Sequence, residues 1–119
     1  MRNFRDLEIW KNSIAFSKSI YEICSTFPDK ERFGLTAQIQ RASVAIPSNI
    51  AEGSSRSSQA DFARFLEIAL GSAFEVETQL NIAKEVGYIS SEQLIKCHEE
   101  LTIIQKQINQ LITVIRNKK

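Results

Sequence analysis

The chain is poor in the residue types that usually carry chemistry. Its 119 residues include one histidine, two cysteines, four glycines and two prolines. Di-iron bundles place Glu-x-x-His motifs on two helices; here the residue three before the lone His98 is Ile95, so the motif is absent. Cys24 and Cys97 show neither CxxC spacing nor the density of a disulfide scaffold, and no nucleophile–histidine signature surrounds them. Both fall within apolar helical patterns, as reduced core cysteines of a cytosolic protein do. The glycines are scattered at Gly34, Gly53, Gly71 and Gly87, which leaves no glycine-rich phosphate loop. No catalytic, cofactor-binding or metal-ligating residue is therefore assigned, no cofactor is expected, and the chain reads as a non-enzyme. An excess of one charge is also lacking. Fifteen Lys and Arg stand against fourteen Asp and Glu, a formal net charge of +1 that neither demands nor excludes a nucleic-acid partner. The opening MRNFRDLEIWKNS lacks the apolar stretch of a signal peptide. No run approaches the roughly 18 apolar residues of a membrane span. The expectation is a cytoplasmic protein with no membrane partner.

What remains is helical periodicity, and it fills the chain. In the first helix, expected from about Asp6, Leu7, Trp10, Ile14, Tyr21 and Cys24 recur at three- and four-residue steps. Ile9, Phe16, Ile20, Ile23 and Phe27 make a second stripe, so this helix offers two apolar sides. Pro28 ends it. A second helix, with Thr36 as its expected cap, carries Leu35, Ile39, Ala42, Ile46, Ile50 and Gly53 along one side. Pro47 lies inside that pattern and predicts a kink over Ile46 to Asn49. Ser54 to Ser58 is a turn signal, and Ser58-Gln59-Ala60-Asp61 resembles a capping box. The third helix then runs to about Glu85 on Phe62, Phe65, Ala69, Ala73, Val76, Leu80 and Ala83, flanked by Leu66, Leu70 and Phe74. Gly87 is a candidate left-handed stop, and Ser90 to Gln93 supplies a capping box for the fourth helix. Leu94, Leu101, Ile104, Ile108, Leu111 and Ile115 stripe that helix. No period-two strand pattern, internal repeat or low-complexity segment occurs. The fold expected is all-α: one domain, residues 1–119, an antiparallel up-down-up-down four-helix bundle with a kinked second helix.

Three segments carry a resemblance. FRDLEIW opens the chain, FPDKERFGLTAQIQRASVAIPSNIAEG fills its middle and FLEIALGSAFEVETQLNIAKEVGYI follows. With these the chain resembles the bacterial four-helix-bundle proteins named after intervening sequences in 23S rRNA genes, often labelled S23 ribosomal proteins. The likeness spans about Phe4 to Ile115, and its most specific part is Ile46-Pro47-Ser48-Asn49-Ile50-Ala51-Glu52-Gly53. It implies a homopentameric ring. A similar protein, the accessory variability determinant of diversity-generating retroelements, implies binding of nucleic acid and a reverse transcriptase through a basic surface. This chain departs from that relative in being nearly neutral. From Ser57 to Ile89 it has Arg64 and Lys84 against Asp61, Glu67, Glu75, Glu77 and Glu85.

Three sets of residues follow as candidates. Arg2, Arg5, Lys11 and Lys18 near the start, with Arg116, Lys118 and Lys119 near the end, meet at one end of an antiparallel bundle and form the candidate RNA or DNA contact; a solvated charged face is the plainer reading. Phe16, Ile20, Leu70 and Phe74 are the expected interface between copies, because the extra apolar stripes exceed what a soluble monomer exposes. Arg41, Ser48, Asn49 and Glu52 lie off the main stripe of the second helix. They form either a polar cluster at an interface or groove, or a structural set in which Asn49 and Glu52 satisfy backbone groups freed by Pro47. Ser54 to Ser58 either sets a phosphate against Arg56 or is an ordinary turn. The leading function is a homo-oligomeric, nucleic-acid-associated scaffold; the alternative is a protein-binding or self-assembly module with no nucleic-acid role.

Overall fold

In the computed structural model, which describes residues 3–117, four helices account for most of the chain, with one short 3-10 turn ahead of the first and another between the first and second. Helix α1 is Glu8–Cys24, α2 Leu35–Ser54, α3 Gln59–Glu85 and α4 Ser91–Asn117. No strand occurs among the described residues. Each helix packs on its neighbour in sequence, and α1 closes the circuit against α4. Cross-helix bonds fix the directions. Asn12 Nδ2 donates to Gln107 Oε1 and Ser19 Oγ to Glu100 Oε2, so α1 and α4 run oppositely. Arg116 meets Glu67, and Gln105 meets Glu77, which sets α3 against α4 in the same way. The body measures 49 × 24 × 20 Å.

Local chemistry sets most boundaries. Ser58 Oγ accepts from the Asp61 amide and starts α3. Gly87, at φ +86°, ends it: the Tyr88 amide reaches back to the Ala83 carbonyl and the Gly87 amide to Lys84, the paired bonds of a Schellman stop. Ser90 and Gln93 exchange side-chain and amide bonds, a complete capping box for α4. Two expected caps differ. Asp6 lies in a 3-10 turn, Phe4–Asp6, whose cap is Asn3, and α1 begins at Glu8 behind Leu7 with no side-chain cap. Thr36 is already helical; the Glu31 carboxylate accepts from the Leu35 amide at 3.1 Å and does the capping from outside α2.

Helix α2 continues unbroken through Pro47. Proline has no amide hydrogen, so the carbonyl four residues earlier, that of Ser43, loses its helical donor. The Ser17 hydroxyl of α1 donates to that carbonyl at 3.0 Å. The compensation comes from the neighbouring helix, not from Asn49 or Glu52 on α2 itself.

The core corrects one expectation directly. Phe16 and Ile20, expected between copies, are 1% and 0% exposed inside a single chain. The core side of α1 is Ile9, Ser13, Phe16, Ile20 and Cys24, while Ile14 and Tyr21 of the other stripe face outward. Ser13 hides this pattern in the sequence. Its hydroxyl donates to the Ile9 carbonyl at 2.6 Å, which satisfies a polar group at a core position. On α3 and α4 the main stripes are buried as expected, with Leu94 and Leu111 packed partly buried against them. Leu70 is partly buried and Phe74 half exposed.

At Gly53, α2 lies directly against α3. A Cβ there would stand 2.6 Å from Phe65 Cβ and 3.2 Å from Phe62 Cδ1. Gly53→Ala is expected to destabilise by about 1–3 kcal/mol through overpacking, despite alanine's helix advantage of about 1 kcal/mol. Gly71→Ala, with nothing within 4 Å, is expected to stabilise the bundle by about that advantage. Urea titration reads both. In the same assay Ser17→Ala is expected to cost about 1–3 kcal/mol, because it strands the Ser43 carbonyl. In a Pro47→Ala background, where the substituted alanine supplies the missing amide, most of that loss disappears.

Candidate nucleic-acid interface

The bundle has two chemically different ends. One holds the α1–α2 and α3–α4 connections. There Tyr88 Oη donates to Glu31 Oε2 at 2.7 Å, and the Phe27 and Tyr88 rings lie 5.4 Å apart. Tyr88 holds the Glu31 carboxyl below its ordinary value, and Glu31 in turn pushes the Tyr88 hydroxyl up. The other end gathers the start of α1, the α2–α3 turn and the finish of α4. Gln59, Ala60 and Ala63 share a cleft with Ile115 and Arg116, and the Phe4–Asp6 turn packs on α2.

Cations converge at this second end. Arg5 stacks on the Phe4 ring, 4.5 Å from its centroid. Lys11 stands 3.9 Å from Glu8, and Arg116 Nη2 meets Glu67 Oε1 at 2.9 Å. Arg56, named in the sequence only as one reading of the Ser54–Ser58 turn, and Arg64, outside the candidate set for nucleic acid, complete it. Their guanidiniums lie 4.8 and 4.6 Å from the centroid of the same ring, that of buried Phe65. Each also has a carboxylate: Glu52 at 3.3 Å for Arg56, and Asp61 at 3.8 Å for Arg64. All five cationic side chains belong to exposed residues. Exposed ion pairs of this kind are worth about 0–1 kcal/mol and are screened by salt. A phosphate can therefore replace the carboxylate at little cost, and a guanidinium offers it a two-pronged donor fork.

The remaining candidates divide. Lys18 lies ten residues beyond Glu8, about 15 Å along α1 at 1.5 Å per residue, and is not part of this end. Arg2, Lys118 and Lys119 fall outside the described residues. The residues near Pro47 do not converge. Ser48 and Asn49 donate to Val44 and Ala45 carbonyls of their own helix, Glu52 turns to Arg56, and Arg41 is exposed. Topology is the signal that joins Arg56 and Arg64 to the terminal cations. In an up-down bundle the α2–α3 turn returns to the same end as the termini, so every cation on it joins them.

Other chemistry is thinly provided for. No group of three or more His, Cys, Asp or Glu is placed to hold a metal ion among the described residues. Burial pushes the Cys24 and Cys97 thiols up to about 11, far from the thiolate a nucleophile needs. His98 Nε2 approaches Glu77 Oε2 at 3.2 Å on the α3–α4 seam, beside the Gln105–Glu77 bond. No helix of the described residues is long and apolar enough to cross a membrane.

The profile of the family described as 23S rRNA-intervening sequence protein matches residues 5–110. The chain belongs to that family. A solved structure is similar throughout: a protein of unknown function from the S23 ribosomal protein family of Bacteroides thetaiotaomicron, 29% identical, with a TM-score of 0.82. The match covers 88% of this chain and 95% of that one. No curated protein matches the chain. Family membership accords with the sequence resemblance, which spans about Phe4 to Ile115, and the S23 relative has the same fold.

The ionised carboxylates give a pH dependence. The Arg116 hydrogen bond lowers Glu67 from the ordinary 4.5, and the Gln105 hydrogen bond lowers Glu77 in the same way. A folded value below the unfolded one means this stability is fully present above pH 4.5 and is lost as pH falls through the folded values. The urea midpoint is expected to drop below pH 4.5, and Glu67→Gln with Glu77→Gln to flatten that drop. An unchanged profile in the double variant removes these pairs as its cause.

Proposed function

We propose that this member of the family is a non-enzymatic, self-assembling helical bundle that presents its arginine-bearing end to a nucleic-acid backbone, once per copy. The convergence of Arg5, Lys11, Arg56, Arg64 and Arg116 at one end supports the nucleic-acid half of this reading. The family resemblance implies five copies. Exposed apolar side chains support the assembly half. Ile14, Tyr21, Ile68, Phe74, Ile82, Ile95, Ile103 and Val114 are large, apolar and exposed in one chain of 119 residues. Soluble monomers seldom gather such surface into patches. Repetition matters because one end, with its carboxylates close by, binds weakly, and a ring multiplies weak contacts through effective concentration.

The near-neutral charge favours a second reading, in which the assembly binds only protein. Binding to a short single-stranded RNA separates the two. Log affinity should fall linearly with log salt, by about 0.7 per phosphate contacted. Arg56→Ala, Arg64→Ala and Arg116→Ala should each weaken binding and shallow that slope. Glu67→Gln, which frees Arg116, should tighten it. Absence of binding at low salt, or indifference to all four substitutions, leaves only the second reading.

A further inference from the structure

Phe33 is 88% exposed, more than any other large apolar side chain among the described residues. It does not sit on a loose loop. The preceding residues Asp29–Glu31 form a 3-10 turn, and the Glu31 carboxylate binds both Tyr88 Oη and the Leu35 amide. A Cβ on the next residue, Gly34, would stand 2.9 Å from Glu31 Oε1, so the chain is drawn tightly against this brace. Arg32 places its guanidinium 5.3 Å from the centre of the Phe33 ring. An aromatic side chain held out on a preorganised support, with arginine against its face, is the composition of an interface anchor.

The same molecule carries a receptor for such an anchor on another face. Between α3 and α4 lies an open groove of about 630 Å³, lined by Asn81, Leu94, Ile95, His98, Glu99 and Ile103, with Thr102 beside them. Its volume falls within the span of about 300–1,000 Å³ typical of clefts that enclose small ligands. Ile95 and Ile103 are exposed there, uncovered by any of the described residues. Glu99 brings a carboxylate to the groove, and no cation pairs with it among the described residues. The anchor and its arginine project from the α1–α2 connection; the groove and its carboxylate lie along α3 and α4.

From this match of exposed apolar surface and of charge we infer that Phe33 of one copy docks in the α3–α4 groove of the next, with Arg32 paired to Glu99. This rests on the self-assembly reading above and deepens it by naming the contact. Anchor and groove are different surfaces of one chain, so the contact is heterologous. Such contacts propagate head to tail and close into a ring when the rotation permits. A ring needs no second kind of interface.

Heterologous docking makes a prediction that symmetric pairing does not. Phe33→Ala removes the anchor and leaves the groove; Ile103→Lys spoils the groove and leaves the anchor. Each variant alone should elute as a monomer by size exclusion with light scattering, with helical content unchanged by circular dichroism. Mixed one to one, they should form dimers and stop there, because only one anchor and one groove remain. Arg32→Glu should weaken assembly at least tenfold, and Glu99→Arg should restore it in combination. If the wild-type chain assembles while both single variants assemble equally well, or if their mixture stays monomeric, the docking mode is overturned and self-assembly survives. A wild-type monomer at every concentration overturns self-assembly itself.

Discussion

The approach of α2 to α3 at Gly53 ties the core of this bundle to its surface chemistry. With no side chain at that position, α2 lies directly on Phe62 and Phe65. Phe65 is held by this contact with its ring at the rim of the core, and the ring is what Arg56 and Arg64 both stack upon. A larger residue at position 53 would shift the ring and the two guanidiniums with it. Close helix packing and the placement of cations at the turn are thus one constraint seen from inside and outside. Pro47 belongs to the same region. Its missing hydrogen bond is made good by Ser17, so α1, α2 and α3 are locked together over the middle of the chain while α2 stays continuous.

The apolar surface follows a different logic. Twenty-five hydrophobic residues among those described are buried in one copy, a sufficient core for a domain of this size, and the exposed isoleucines, Phe74 and Phe33 are additional to it. At about 25 cal/mol per Å² of apolar area removed from water, covering such side chains against another protein surface is favourable. The bundle therefore has two kinds of exterior. Its sides and connection end carry apolar groups that suit protein contact. Its other end carries cations in exposed pairs that suit phosphate.

Much of the fold could be read in the sequence because the signals were local. Ser58, Gly87 and the Ser90–Gln93 box each act within a few residues, and the structure places each in its expected role. What was illegible depended on partners far along the chain. Two stripes of α1 fit the helical period equally well, and the choice between them turned on Ser13, whose polarity vanishes into a bond with its own backbone. Phe16 and Ile20 were accordingly assigned to the wrong surface. Asp6 falls inside a 3-10 turn and leaves α1 without a side-chain cap, while Thr36 gives way to Glu31 because a cap can come from outside the helix it serves. The basic end was half legible: Arg5, Lys11 and Arg116 follow from the termini, whereas Arg56 and Arg64 require knowing which turn returns to them and that one ring holds both.

Sedimentation equilibrium of the wild-type chain, across concentration and in both 0.1 M and 1 M salt, tests the central claim most directly. Apolar contact between copies is not screened, whereas exposed charge interactions fade as the Debye length shrinks from about 10 Å to about 3 Å. The account predicts one assembled species, a whole multiple of 13.5 kDa, that persists at high salt. A 13.5 kDa particle at every concentration, or an assembly that salt dissolves, would contradict it.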